Sequence, residues 1–121
     1  MKTETTSLTG RYAEDEVIRI LTGKGYRFLC RNYAVHNVGE IDSAFLRDDT
    51  LYVIEVRARK IRPGYPTPSE SVTFSKRQKI IKTARYLINS YGLGEIDIVF
   101  LIGQVVLNDA GLVQNVEFVP F

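Results

Sequence analysis

The chain reads as one mixed α/β domain, a sheet flanked by two helices in the order α-β-β-β-α-β-β. Three observations carry that reading. Two stretches repeat apolar residues at helical spacing, and five shorter runs have strand length and β-forming composition. Glycine, proline and aspartate punctuate the intervals between them. The third observation is size: 121 residues with 45% hydrophobic types are enough for one core and too few for two. A single domain over residues 1–121 follows, with residues 1–8 expected as a flexible N-terminus.

The first helix is expected from Thr9, a residue suited to cap it, with Ala13, Val17, Ile20 and Leu21 on one face and Gly23 and Gly25 ending it. Glu14 falls at the border of that face, whereas Asp15 and Arg19 point away. Strands are expected over Tyr26 to Tyr33, Gly39 to Leu46 and Leu51 to Arg59. Asp48-Asp49 turns between the last two, which therefore form a hairpin. In Leu51-Tyr52-Val53-Ile54-Glu55-Val56-Arg57, apolar residues of both parities precede one acid, the pattern of a central strand covered on both sides. Residues 61–71 carry Pro63, Gly64, Pro66 and Pro68 and read as a loop. A second helix is expected from about Ser75 to Tyr91, with Ile80, Ile81, Ala84, Leu87, Ile88 and Tyr91 inward and Lys79, Lys82 and Arg85 outward. Gly92 and Gly94 end it. Ile96 to Ile102 and Val116 to Val119 complete the strands, with Asn108-Asp109-Ala110-Gly111 as a turn. This order implies a mixed sheet rather than a doubly wound one.

A lone cysteine, Cys30, excludes an internal disulfide framework and fits a reducing compartment. No apolar stretch has membrane-spanning length, and Met1 to Thr9 lacks the apolar segment of a signal peptide. A soluble, cytoplasmic protein without a membrane partner is the expectation. The net charge of +2 does not by itself indicate nucleic acid. Its distribution is more telling: Glu14, Asp15 and Glu16 near the start contrast with Arg57, Arg59, Lys60 and Arg62, then with Lys76, Arg77, Lys79, Lys82 and Arg85. An acidic spot bordered by cations can hold a metal ion and a polyanion together. Each tract alone equally fits a solvated face.

Strand parity puts Asp42 with Glu40 and Ala44, and Glu55 with Val53 and Arg57. The hairpin then brings Asp42 and Glu55 near each other, at the end away from the turn. Paired carboxylates raise one another's pKa unless a cation lies between them. Hard oxygen donors suit Mg²⁺ or Mn²⁺, with the Val56 backbone carbonyl and waters completing the shell. Such an ion polarises a phosphate and acidifies an attacking water. His36 falls in a turn and reads as exposed and structural; Cys30 reads as a small core residue. Asp97 reads as a structural partner for a basic residue, with a place in the pocket as the lesser alternative.

Gly10, Ala13-Glu14, Gly25-Tyr26, Arg31-Asn32-Tyr33, Gly39-Glu40-Ile41-Asp42, Ile54-Glu55-Val56-Arg57, Arg59, Gly64, Lys76 and Ala84 follow one pattern in order. The chain resembles the YraN-like family of small bacterial proteins from about Thr9 to Ile102. Through it the chain is similar to the PD-(D/E)xK restriction-endonuclease-like superfamily and to archaeal Holliday-junction resolvases. The resemblance implies a restriction-endonuclease-like mixed sheet flanked by helices. It also implies a metal-dependent DNA endonuclease of DNA repair or recombination, with branched DNA as a partner and a homodimer as the assembly. Asp42 and Glu55 would be the metal-binding acids and Glu14 a helix-borne third, with Arg57 completing the catalytic set; the basic tracts and strand parity, read separately, set Arg57, Arg59, Lys76 and Lys79 against the nucleic acid. Two positions depart from the pattern: Ala13 replaces a glycine and Arg57 a lysine. Arginine grips phosphate but cannot give up its proton to act as a base. A catalytically degenerate DNA-binding module therefore stands beside the nuclease, and a protein-interaction domain that kept only the fold is a third reading.

Overall fold

Residues 4–60 and 72–121 are described in the computed structural model, with side chains from residue 10 onward. The proline-rich interval 61–71 lies outside the described residues. Helix α1 (Glu4–Gly23) leads into strands β1 (Arg27–Val35), β2 (Gly39–Arg47) and β3 (Thr50–Lys60). Helix α2 (Phe74–Ser90) follows, then β4 (Asp97–Leu107) and β5 (Val113–Pro120). Both helices stop in the same way. Tyr26 N–H bonds the Leu21 carbonyl and Gly25 N–H that of Thr22, with Gly25 at φ +94°. At the end of α2, Leu93 bonds back to Ile88 and Gly92, at φ +63°, to Asn89. These are paired closures that need a left-handed residue, which glycine supplies without strain. Helix α2 starts at a capping residue, the Thr73 hydroxyl accepting the Lys76 N–H at 3.1 Å.

Several boundaries differ from expectation, among them the start of β5, which begins at Val113 rather than Val116; two differ most. Helix α1 begins at Glu4, so Thr9 is not its cap and residues 4–8 are helical. No proline or glycine falls among those residues, so nothing in their backbone stops the helix from extending. Strand β4 continues five residues past Ile102, through Gly103 to Leu107. Gly103 looks like a stop in sequence. In the fold it is a point of close approach, where an added Cβ would lie 3.2 Å from Val17 and 3.3 Å from Ile54.

The strands form one mixed sheet in the order β1-β2-β3-β4-β5. Only β3 and β4 are parallel, because the α2 crossover joins them; the remaining neighbours are antiparallel. The β2–β3 hairpin turns at Asp48-Asp49 with Arg47 opposite Thr50 and Asp48 at φ +54°. As the alternation of β3 requires, both of its faces are covered. Ala44, Leu46, Leu51 and Val53 pack under Ile80, Ala84 and Leu87 of α2. Phe45, Ile54 and Val105 pack under Ala13, Val17 and Leu21 of α1. Among the described residues no helix is long and apolar enough to cross a membrane.

Candidate functional site

The β2–β3 ladder runs from Arg47↔Thr50 to Ser43↔Ile54. Beyond it the hairpin forks: Ile41 and Gly39 stay paired with Tyr33 and Val35 of β1, while Glu55 to Lys60 stay paired with Ile102 to Leu107 of β4. The fork leaves the Val56 N–H without a strand partner on that edge, and Asp42 Oδ2 accepts it at 2.8 Å. A carboxylate thus takes the place of a backbone carbonyl. Alternation also breaks here, since Ile41 packs in the same cluster as Ala44 and Leu46. Asp42 therefore reaches edgewise into the gap rather than lying on a common face with Ala44, the placement that simple parity suggests.

Glu55 lies directly across the fork, its side chain only 7% exposed. The two carboxyl groups share a hydrogen bond. Burial first, and then the hydrogen bond and charge of Glu55, push the Asp42 pKa up to about 8 against the pull of the Val56 N–H. Glu55 shifts the other way. Burial opposes its ionisation, but the Asp42 hydrogen bond, Lys76 and Arg57 together outweigh burial and hold it ionised below the usual range. At neutral pH the pair therefore shares one proton.

Two cations converge on one oxygen of Glu55. Lys76 Nζ lies 2.7 Å from Oε2 as an ion pair. Arg57 Nη2 lies 3.6 Å from the same atom. The Arg57 carbonyl accepts a long 3.4 Å bond from Gln104, a buried residue of β4. Glu14 stands at the border of α1's packed face, as expected, but is engaged elsewhere: Arg31 bonds it at 2.9 Å and Asp15 at 2.7 Å. Its charge still reaches Asp42 and adds to that group's upward shift.

The site thus gathers Asp42, Glu55, Arg57 and the Val56 backbone, with Glu14 at longer range. Among the described residues no three acidic, histidine or cysteine side chains come close enough to hold a metal ion. In their chemistry, two carboxylates that share one proton would nonetheless suit a small divalent ion able to displace that proton. Arg59 is half-buried further along β3, and Lys79 is exposed on the outer face of α2. Lys79, Lys82 and Arg85 line an open cleft of about 800 Å³ with Phe74 and Tyr86. His36 is exposed in the β1–β2 turn, and Cys30 is half-buried against the α2-side cluster. Asp97 is exposed opposite Thr50, at the far end of β3 from the fork. That position removes it from the pocket.

Two roles escaped sequence reasoning. Arg31, the residue that holds Glu14, sits on a strand whose pairing had to be known first. Lys76 was placed only among nucleic-acid contacts, yet a signal was present: it precedes Ile80, Thr83 and Leu87 by four, seven and eleven residues, the spacing of the buried face of α2.

Fold and site together define a small mixed α/β domain with a buried carboxylate pair in a forked hairpin, held between a helix lysine and a strand arginine. The chain belongs to the UPF0102 family: the profile of the family described as "Uncharacterised protein family UPF0102" matches residues 13–101, a span that takes in Glu14, Asp42, Glu55, Arg57 and Lys76. A UPF0102 protein of Dictyoglomus turgidum is 34% identical over 111 residues, 92% of each chain. One of Acinetobacter baylyi is 38% identical over 82 residues, 68% of this chain and 57% of that protein. One of Thermus thermophilus is also 38% identical over 82 residues, covering 68% and 71%.

Proposed function

We propose that this chain is a nucleic-acid-binding protein of DNA repair or recombination, a divalent-metal-dependent DNA endonuclease of the resolvase type built on a restriction-endonuclease-like fold. The observation that carries this reading is the Asp42–Glu55 pair, half-buried and buried respectively, sharing a proton in the fork of a hairpin and flanked by Lys76 and Arg57. A buried pair of acids costs stability, and perturbed carboxylates in a cleft are characteristic of functional sites. Asp42, Glu55 and the Val56 carbonyl would hold Mg²⁺ or Mn²⁺, which when bound polarises a phosphate and acidifies water. Arg57 and Arg59 grip backbone phosphates, Lys79 extends the basic track along α2, and Glu14 adds negative charge at the rim. A cytoplasmic homodimer acting on branched DNA belongs to the same proposal.

Four-way junction, flap and duplex oligonucleotides incubated with Mg²⁺ or Mn²⁺ provide the test. Cleavage is expected from the wild type and not from a D42A/E55A double variant; equal cutting by both would remove the nuclease. Arg57 favours a second reading, a binding module that has lost cleavage. Under that reading the wild type binds DNA in a salt-dependent manner without cutting it. Cleavage gained only on R57K substitution would then mark the missing part.

A further inference from the structure

Beside Arg57, the arginine that stands on β3 where the resembled pattern has lysine, α2 brings a lysine of its own. Lys76 lies on the stripe of Ile80, Thr83 and Leu87 that faces the sheet, one turn before that stripe becomes core. Its exposed neighbours Lys79, Lys82 and Arg85 line the cleft beside Phe74 and Tyr86. The Thr73 cap fixes its backbone N–H, and Gly39 lets the helix lie close to β2: a Cβ there would come within 2.7 Å of the Thr83 hydroxyl and 3.2 Å of the Lys79 carbonyl. The Lys76 side chain is 45% exposed, yet its ammonium meets a carboxylate that is 7% exposed. It therefore reaches inward to the site while remaining open to whatever enters. Arg57 is farther from the same oxygen, at 3.6 Å, and its planar fork lacks the compact three-donor head of an ammonium.

We propose that Lys76, delivered from α2 against Glu55, is the catalytic lysine of this site, the group that orients the attacking water and neutralises charge gathering on the scissile phosphate. The inference rests on the nuclease reading above. In the step it serves, the water oxygen bonds to phosphorus and the bond from phosphorus to the leaving sugar oxygen breaks. The electron pair stays on that oxygen, which takes up a proton from solvent, and the water's proton passes to solvent. The products are one phosphate monoester and one hydroxyl end. Lys76 supplies positive charge and ammonium donors beside its ion pair with Glu55; it is not consumed.

Wild type, K76M, K76Q and the K76M/R57K double variant are compared on junction and flap DNA, with folding checked by circular dichroism. Mn²⁺ affinity of the free proteins is measured by calorimetry without DNA. The expected loss of kcat in K76M and K76Q is at least about 100-fold, within the range for removing one transition-state donor. Lysine at position 57 should restore at least about 10-fold of it, since both sites border the same Glu55 oxygen. Removing a cation 2.7 Å from a ligand oxygen should also tighten Mn²⁺ binding about threefold or more; the rescue by lysine at position 57 is the readout that the loss of a merely structural clip would not give. Folded lysine variants that cut as fast as the wild type, or bind Mn²⁺ no tighter, overturn the assignment alone. A wild type that cuts nothing overturns the nuclease reading and the assignment with it.

Discussion

At the scale of single residues, the behaviour of the site turns on one proton. An acid whose pKa is raised on folding holds its proton more tightly folded than unfolded, so its share of stability declines as pH climbs between the two values. For Asp42 that window runs from the ordinary 3.8 to about 8. Glu55 acts oppositely: its pKa is depressed, so its contribution is present above its ordinary 4.5 and is lost as pH falls through the folded value. D42N imitates the protonated form, because the amide oxygen can accept the Val56 N–H and the amide nitrogen can donate to Glu55. In EDTA, D42N should melt near the wild-type temperature at pH 5 and above it at pH 9; identical melting at both pH values would contradict the shared proton. On the proposed reading, Mn²⁺ bound there would have to displace that proton, so its apparent affinity for the wild type should rise with pH up to about 8. Calorimetry in buffers of different ionisation enthalpy would register the proton released.

Secondary-structure elements position these residues through one close approach. Gly39 opens β2 where α2 crosses it, and its φ is ordinary; the requirement is space, since an alanine methyl would meet the Thr83 hydroxyl and the Lys79 backbone. G39A should force α2 outward and destabilise the fold by about 1–3 kcal/mol, the usual cost of overpacking, measured by urea denaturation. The same displacement should draw Lys76 away from Glu55. Unchanged stability would mean that the helix yields without cost. Much of this level was legible in the chain. The Asp48-Asp49 turn and the apolar run of β3 set the hairpin register, and with it the meeting of Asp42 and Glu55. The start of α1 was not legible, because Thr9 looks like a cap whether or not helix precedes it. The end of β4 was missed because Gly103 reads as a break until α1 is seen packed over it.

Across the whole molecule, the carboxylate pair of the fork is distinct from the cleft along α2, which carries Lys79, Lys82 and Arg85 beside Phe74 and Tyr86. If DNA runs along that cleft, replacing all three cations with alanine should weaken binding at every sequence. The salt dependence should flatten as well, its slope falling by about 1 for each phosphate no longer neutralised. Anisotropy titrations at several salt concentrations would measure both. An unaltered slope would place the DNA elsewhere.

Residue order alone was enough to establish the mixed α/β class, both helices, the central strand and the pairing of Asp42 with Glu55. Alternation, helical spacing and a two-residue turn act over short stretches of chain, and local sterics enforce them. Three-dimensional packing had to supply the rest: that Glu14 is tied to Arg31, that the hairpin forks at Asp42, and that Lys76 rather than an outward lysine meets Glu55. Those outcomes depend on how closely a helix approaches a strand and where two strands part. The assembled core sets both, and no local spacing encodes them.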